Sequence, residues 1–280
     1  MTTDRAHCDP VLKTVAKGIH TMCEKPLSDN LRDARRMAEA ARKKGIITAV
    51  NFSYRNSPAT QMAAKMVASG KLGRIIHVEG SYLQCWLVSR VWGDWRESTA
   101  LLWRLSTRHG SLGCLGDIGV HLYDLTSFVV GDIAELQCEL KTFDKGVKRI
   151  GEYVFDANDS FVSSVRFANG AIGTLHSSRW ATGHPNTVAC RVYGDQGALD
   201  LNLDRAPQEQ LRMCVGREDI DKAIWKPIEC PPTPNMYQRF ITAVRTGKQG
   251  QTSFEGAAKV QAYLHYSVVS HEKKQFVKVR

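Results

Sequence analysis

Ile19-His20-Thr21-Met22-Cys23-Glu24-Lys25-Pro26-Leu27-Ser28-Asp29 is a short apolar run that stops on charge and proline. It reads as a buried strand, Ile19 to Cys23, whose exit Glu24-Lys25-Pro26 turns into the next element. Before it, Val11, Leu12, Val15 and Ala16 form a helical stripe that ends at Gly18. After it, Ser28 offers an N-cap oxygen and Asp29 a first-turn charge. Leu31, Ala34, Met37, Ala38 and Ala41 then recur at helical spacing as far as Gly45, a residue suited to the position just past a helix. Ile46 to Phe52 reads as a second buried strand. Helix–strand–helix–strand is the rhythm of a parallel sheet with crossover helices.

Further along, Ser57-Pro58 opens a helix with Met62, Ala63, Met66 and Val67 on one face, closing at Gly70. From Arg74 the period changes: Ile76, Val78 and Tyr82 alternate with more polar neighbours. Phe161 to Phe167 alternates likewise and meets Asn169-Gly170, a two-residue hairpin signal, before Ala171 to His176. Val188 to Tyr193 and Ala198 to Leu203 read as a second hairpin through Gly194-Asp195-Gln196-Gly197. A final helix spans about residues 255–271, with Ala257, Val260, Leu264 and Val268 as its buried stripe. Pro231-Pro232-Thr233-Pro234 is a connector. The expected fold is α/β followed by α+β: a parallel sheet, then a larger domain with a mainly antiparallel open sheet and helices.

Composition narrows the function. Over 280 residues the chain is 43% hydrophobic and 24% charged, which argues against a disordered tail or a disulfide-stapled miniature. No apolar run approaches the ~20 residues that cross a bilayer, and Met1 to His7 has no apolar signal region. The net charge of +10 is scattered, its densest clusters (Arg42-Lys43-Lys44, Lys273-Lys274) lie at expected helix ends, and no nucleic-acid motif accompanies them. Neither nucleic acid nor membrane is expected as a partner. The eight cysteines form no Cys-x-x-Cys and no metal spacing, and read as reduced thiols of a cytoplasmic protein.

Two places carry chemistry. Lys25 follows a buried strand at the end where parallel sheets bind ligands, and Pro26 keeps it out of helical geometry. An ammonium there can polarise a substrate oxygen; the alternative is a solvated lysine in a βα turn. The second place is Gly113-Cys114-Leu115-Gly116-Asp117-Ile118-Gly119-Val120-His121-Leu122-Tyr123-Asp124. If helical from Leu115, it projects Asp117 and His121 from one face, with Asp124 close by. A carboxylate one turn from an imidazole orients it and stabilises its protonated form, which suits acid–base work. The alternatives are a surface Asp–His pair and a metal site. Three ligands on one helix are crowded, so no metal is expected.

Pro10 and its helix, Gly18 to Leu27, Asn51-Phe52-Ser53-Tyr54-Arg55, Gly70-Lys71-Leu72-Gly73 and Gly116 to His121 occur in that order. Together they resemble the glucose–fructose oxidoreductase / inositol dehydrogenase (Gfo/Idh/MocA-like) family of NAD(P)-dependent oxidoreductases. Ser253-Phe254-Glu255-Gly256 is similar to the family's C-terminal pattern, so the resemblance spans nearly the whole chain. It implies hydride exchange between nicotinamide (NAD or NADP) and a secondary alcohol of a sugar, polyol or related compound. It implies catalytic roles for Lys25, Asp117 and His121, with His121 moving the hydroxyl proton. Glu24, Lys25, Pro26 and Arg55 are implied to line the cofactor cleft. Trp103 and Arg104 are implied, with Lys25, Asp117 and His121, to contact the substrate. A homodimer or homotetramer is implied by resemblance alone.

The pattern also departs from the family. No Gly-x-Gly-x-x-Gly, with an acidic residue about 20 positions on, precedes Glu24. Residues 2–7 look like a loop beyond an earlier strand, so residues 1–55 read as the remnant of a truncated Rossmann-like NAD(P)-binding domain. Residues 56–280 read as the substrate-binding and oligomerisation domain. The expectation is a fragment or mis-started reading of a longer dehydrogenase, with a bare inner edge on the strand at Ile19–Cys23 and weakened cofactor affinity. A non-catalytic, degenerate member serving ligand binding or dimerisation is the alternative. Gly110-Ser111-Leu112-Gly113, where relatives more often show consecutive glycines, leaves the substrate pocket's entry open.

Overall fold

The computed structural model describes residues 4–280, so residues 2 and 3 of the expected N-terminal loop lie outside the described residues. The chain begins with α1 (Cys8–Ala16), β1 (Thr21–Cys23), α2 (Leu31–Lys44) and β2 (Thr48–Val50). β1 and β2 pair in parallel, Thr21 opposite Thr48 and Cys23 opposite Val50, the expected crossover arrangement. Both strands are shorter than the apolar runs that announce them. Ile19 stays 49% exposed, outside the sheet.

One helix start differs from expectation. Asn30, not Ser28, caps α2: its side chain accepts from the Asp33 amide, and the helix begins at Leu31. Leu27 and Ser28 are instead buried where the chain leaves the strand tip. The chain is still packed at Ser28, and the helix starts only after it reaches the surface at Asn30. The other end follows the sequence, with Gly45 in left-handed geometry at φ 63°.

After α3 (Pro58–Ala68), capped by Ser57, come β3 (Ile75–Leu83), the short α4 (Thr99–Leu102) and α5 (Val120–Val130). β4 (Ile133–Lys141), a small hairpin of β5 (Arg149–Ile150) and β6 (Tyr153–Val154), β7 (Ser160–Phe167), β8 (Ile172–Ser178), β9 (Thr187–Gly194), β10 (Gly197–Asn202) and β11 (Leu211–Val215) follow. The chain ends with α6 (Arg217–Asp221), β12 (Lys226–Pro227), α7 (Met236–Thr246), α8 (Phe254–Lys273) and β13 (Val277–Lys278). Nine strands form one sheet in the order β12-β11-β10-β9-β3-β8-β7-β4-β13.

Both expected hairpins, β7–β8 and β9–β10, are antiparallel neighbours. The sheet contains one parallel pair, β3 with β8, which local alternation did not announce. Ile76, expected inside, is 43% exposed, because a register shift between Ile75 and His77 turns it outward. α3, α5 and α8 cover one face of the sheet. On the open face Val162 and Ile172 are 55% and 54% exposed. Tyr123 of α5 ties the layers together through hydroxyl contacts of 2.8 Å to Ser163 of β7 and Ser267 of α8.

α8 also packs on α2 and β2, so one continuous core joins the small parallel sheet to the large one. The outer edge of β2 is closed by the Val50 amide on the Thr252 carbonyl, 2.8 Å, and by Gln249 bridging the Thr48 backbone. β1 pairs with β2 alone among the described residues. All eight cysteines are free thiols, seven of them buried.

Candidate active site

The strand tip is locked from several sides before any ligand is considered. Glu24 accepts from the Asn51 side chain at 2.9 Å, joining the ends of β1 and β2. His7, itself buried, meets the Pro26 carbonyl through Nδ1 at 3.0 Å. Lys25 is thereby presented to the segment around residue 117, where its Nζ donates to the Asp117 carbonyl at 2.7 Å and to Asp117 Oδ1 at 3.0 Å. An ammonium has three donors, so one remains after these two.

Asp117 does not sit on an ordinary helix. Leu115–Gly119 is a single π-helical turn leading into α5. Its entry is shaped by Gly113, at φ 68°, where a Cβ would lie 2.4 Å from the Asn158 carbonyl oxygen. Asn158 accepts from the amides of Cys114 and Leu115 at 2.7 and 2.9 Å and donates to the Leu112 carbonyl. Gly119 lets the turn lie against the Phe161 ring, 2.6 Å from where a Cβ would stand. A π turn closes on i+5 rather than i+4. The segment at Asp117 is thus a π turn rather than the expected regular helix; Asp117 and His121 still border one cavity, and the Asp117 carboxylate meets cations.

Its Oδ2 accepts from Arg104 Nε at 3.2 Å and Arg179 at 2.9 Å, while Oδ1 takes Lys25. Burial alone would raise the Asp117 pKa. The Lys25 ammonium and the Arg179 and Arg104 guanidiniums outweigh that and hold it well below the usual carboxylate range. Asp124, expected near the same face, is turned away into a buried pair with Arg55 at 2.6 and 2.9 Å. The three residues that raised a metal alternative are therefore not gathered on one ligand position.

His121 is 7% exposed, edge-on to the Tyr54 ring at 5.0 Å, and its Nδ1 is buried without a partner among the described residues. Burial pushes its pKa well below the ordinary histidine value; Lys25 adds to that effect and Asp117 opposes it. The ring is therefore neutral at neutral pH, a base rather than a stored acid.

Two cavities meet at Lys25. The larger, about 770 Å³, runs along β1 and is walled by Met22, Glu24, His7, Trp103 and Leu112. The smaller, about 340 Å³, is lined by Tyr82, Gln84, Trp86, Trp92 and His121. Lys25, Arg104 and Asp117 border both. Asp4 also lines the larger cavity; burial pushes its carboxyl up to about 7, against the pull of Lys25.

The structure thus gathers Glu24, Lys25, Trp103, Arg104, Asp117 and His121 around two adjoining cavities. Pro26 lies behind them, held by His7. Arg55 is not brought there: its guanidinium pairs with Asp124, donates to the Gln251 carbonyl at 3.0 Å and lies 4.3 Å from the centre of the Phe128 ring. Arg179, Gln84 and the Trp86–Trp92 wall were missed. The tryptophan-rich run 86–103 was a visible signal for the wall. Arg179 gave none, because its partner lies 62 residues away in the chain.

Comparison with known proteins gives relatives that include sugar dehydrogenases. A levoglucosan dehydrogenase of Pseudarthrobacter phenanthrenivorans is 28% identical over 246 residues, covering 82% of this chain and 61% of that protein. A D-glucoside 3-dehydrogenase of Escherichia coli is 30% identical over 184 residues, covering 62% and 49%. The chain therefore spans only part of the length of these curated relatives. Among solved structures, a levoglucosan dehydrogenase in complex with NADH superposes with a TM-score of 0.88 at 25% identity, covering 100% of this chain and 78% of the other. The model of the NAD-binding Rossmann-fold oxidoreductase family matches residues 1–52, and that of the GFO/IDH/MocA C-terminal domain matches residues 60–200. On these matches, and on a fold that agrees with them, the chain belongs to the GFO/IDH/MocA oxidoreductase family.

Proposed function

We propose that this chain serves hydride exchange between a nicotinamide cofactor, NAD or NADP, and a secondary alcohol of a sugar, polyol or related compound. Residues 1–55 form the cofactor side and residues 56–280 the substrate side. The observation that carries this reading is that an ammonium and a neutral imidazole, from Lys25 and His121, border one cavity, the ammonium held there by the Asp117 carboxylate.

The residues present fit the reactive end of such a cofactor. The larger cavity offers a mainly apolar wall beside a strand tip, with Trp103 and the Lys25 ammonium among its lining. A glycine-rich turn, the usual cradle of the diphosphate, is not among the described residues, so no contact to that half is assigned. When bound, the nicotinamide takes or gives the hydride. His121 takes the hydroxyl proton during oxidation and returns it during reduction. The remaining Lys25 donor holds the substrate oxygen and stabilises its developing negative charge. Trp92, 43% exposed, offers an apolar ring face to the carbon side of a sugar.

The open sheet face, with Val162 and Ile172 exposed, supports a homodimer or homotetramer assembled through it. Light scattering checks this, and a monomer at micromolar concentration overturns it. Eight unpaired thiols support a reducing, cytoplasmic location.

The direct test is a thermal-shift screen with NADH and NADPH, followed by a panel of sugars and polyols read at the nicotinamide absorbance. Stabilisation by a dinucleotide and turnover of a neutral polyhydroxy compound are expected; neither occurring defeats the reading. His121→Gln should lower the oxidation rate by about 10²–10⁴-fold, the usual worth of a positioned base.

The same residue sets a pH effect on stability. Because the folded pKa of His121 is depressed, the unfolded chain takes the proton first, and stability falls as pH drops below the unfolded value near 6.5. Melting at pH 7.5 and 5.5 should therefore show a smaller acid loss for His121→Gln than for the wild type. Equal losses would show that the ring is not held neutral.

A further inference from the structure

Arg179 lies just beyond β8 with its guanidinium completely buried. Burying a charge is costly unless its donors are used. Nη2 donates to Asp117 Oδ2 at 2.9 Å, Nη1 to the Arg104 carbonyl at 3.0 Å, and Cζ lies 5.1 Å from the centre of the Trp86 ring. One side chain thereby reaches the π turn, the turn that carries Arg104, and the wall of the smaller cavity. Its backbone is fixed as well: the Arg179 amide donates to the Asp159 carbonyl at 3.0 Å. Asp159 is clamped by the fully buried Lys145 at 2.6 Å.

Neutralising Asp117 does not require this residue. Lys25 and Arg104 already supply two cations to one carboxylate. What Arg179 adds is direction. With Arg104 and Arg179 both on Oδ2, Oδ1 is left to Lys25. The arginine fork is rigid, so it sets an angle as well as a charge.

We propose that Arg179 is a positioning residue: it orients the Asp117 carboxylate so that Lys25 is aimed at the substrate oxygen, and it sets Arg104 and Trp86 at the cavity wall. The proposal rests on the dehydrogenase reading above, and its test contains an arm that does not.

The experiment compares wild type, Arg179→Met and Arg179→Lys in the full chain, with folding followed by circular dichroism. In Arg179→Met, kcat should fall by about 10- to 100-fold, the cost of a misplaced catalytic group, while KM for the sugar stays within about threefold. The acid limb of kcat/KM should move to higher pH, since Asp117 has lost a cation. Arg179→Lys should restore that limb while recovering kcat only in part, because a lysine keeps the charge without the fork.

The independent arm follows the carboxyl carbon of carbon-13-labelled Asp117, assigned with Asp117→Asn. Its midpoint should rise by about 1–3 pH units in Arg179→Met. An unmoved midpoint with kcat within about twofold of wild type overturns the proposal. If Arg179→Met does not fold, Arg179→Lys decides, and wild-type kcat in that variant overturns it. If the wild type turns over no sugar, the dehydrogenase reading fails, and an unmoved Asp117 midpoint in Arg179→Met still overturns the claim that Arg179 acts on that carboxylate.

Discussion

Lys25→Met is expected to lower turnover about 10³-fold while leaving the fold in place, a loss of about 4 kcal/mol of transition-state stabilisation. The Lys25 ammonium is the donor presented at the border of the two cavities. Its partner Asp117 survives the substitution because Arg104 and Arg179 still hold Oδ2, so no unpaired carboxylate is stranded. The Lys25 side chain is also 21% exposed, so methionine costs little packing. The measurement is kcat at saturating cofactor and sugar, alongside the melting temperature. A variant that keeps wild-type kcat removes Lys25 from the reaction, and one that melts early makes it a structural cation.

Arg55→Met should act in the opposite way, collapsing stability while leaving the site's chemistry alone. Arg55 and Asp124 form a two-pronged pair with side chains 10% and 2% exposed. Burial raises the Asp124 pKa, and Arg55 is the cation that counters it. Removing one partner of such a pair typically costs about 3–5 kcal/mol. For a chain of this size that corresponds to a melting temperature lower by about 10 °C.

A double variant, Arg55→Met with Asp124→Leu, should recover most of the loss, because the uncompensated charge is gone. Dinucleotide affinity, measured on folded protein below the transition, should match the wild type. Unchanged melting together with lost dinucleotide binding would return Arg55 to the cofactor cleft that the family resemblance implied for it.

These expectations mark how much of the site was legible beforehand. Lys25 stood out because a proline follows it at the end of an apolar run, and proline acts on its immediate neighbour. Asp117 and His121 stood out by their spacing among glycines. Both border the smaller cavity, but the same glycines let the segment close as a π turn rather than the expected helix, which needs Asn158 and Phe161 from a distant strand region to hold it. Arg55 was expected at the cofactor cleft, and the structure seats it in a buried pair with Asp124. Its neighbours in sequence say nothing of Asp124, 69 residues on.

The elements themselves divide in the same way. Gly45 ending α2, Ser57-Pro58 opening α3 and Asn169-Gly170 turning β7 into β8 were determined by the amino-acid sequence alone. Each depends on the dihedral preferences and hydrogen bonds of a few adjacent residues. The parallel pairing of β3 with β8, the shift of the α2 cap from Ser28 to Asn30, the outward turn of Ile76 and the meeting of Arg179 with Asp117 were decided by tertiary structure. Those outcomes turn on which groups lose water together and which charges then face one another, and such energies belong to neighbours in space that chain order does not specify.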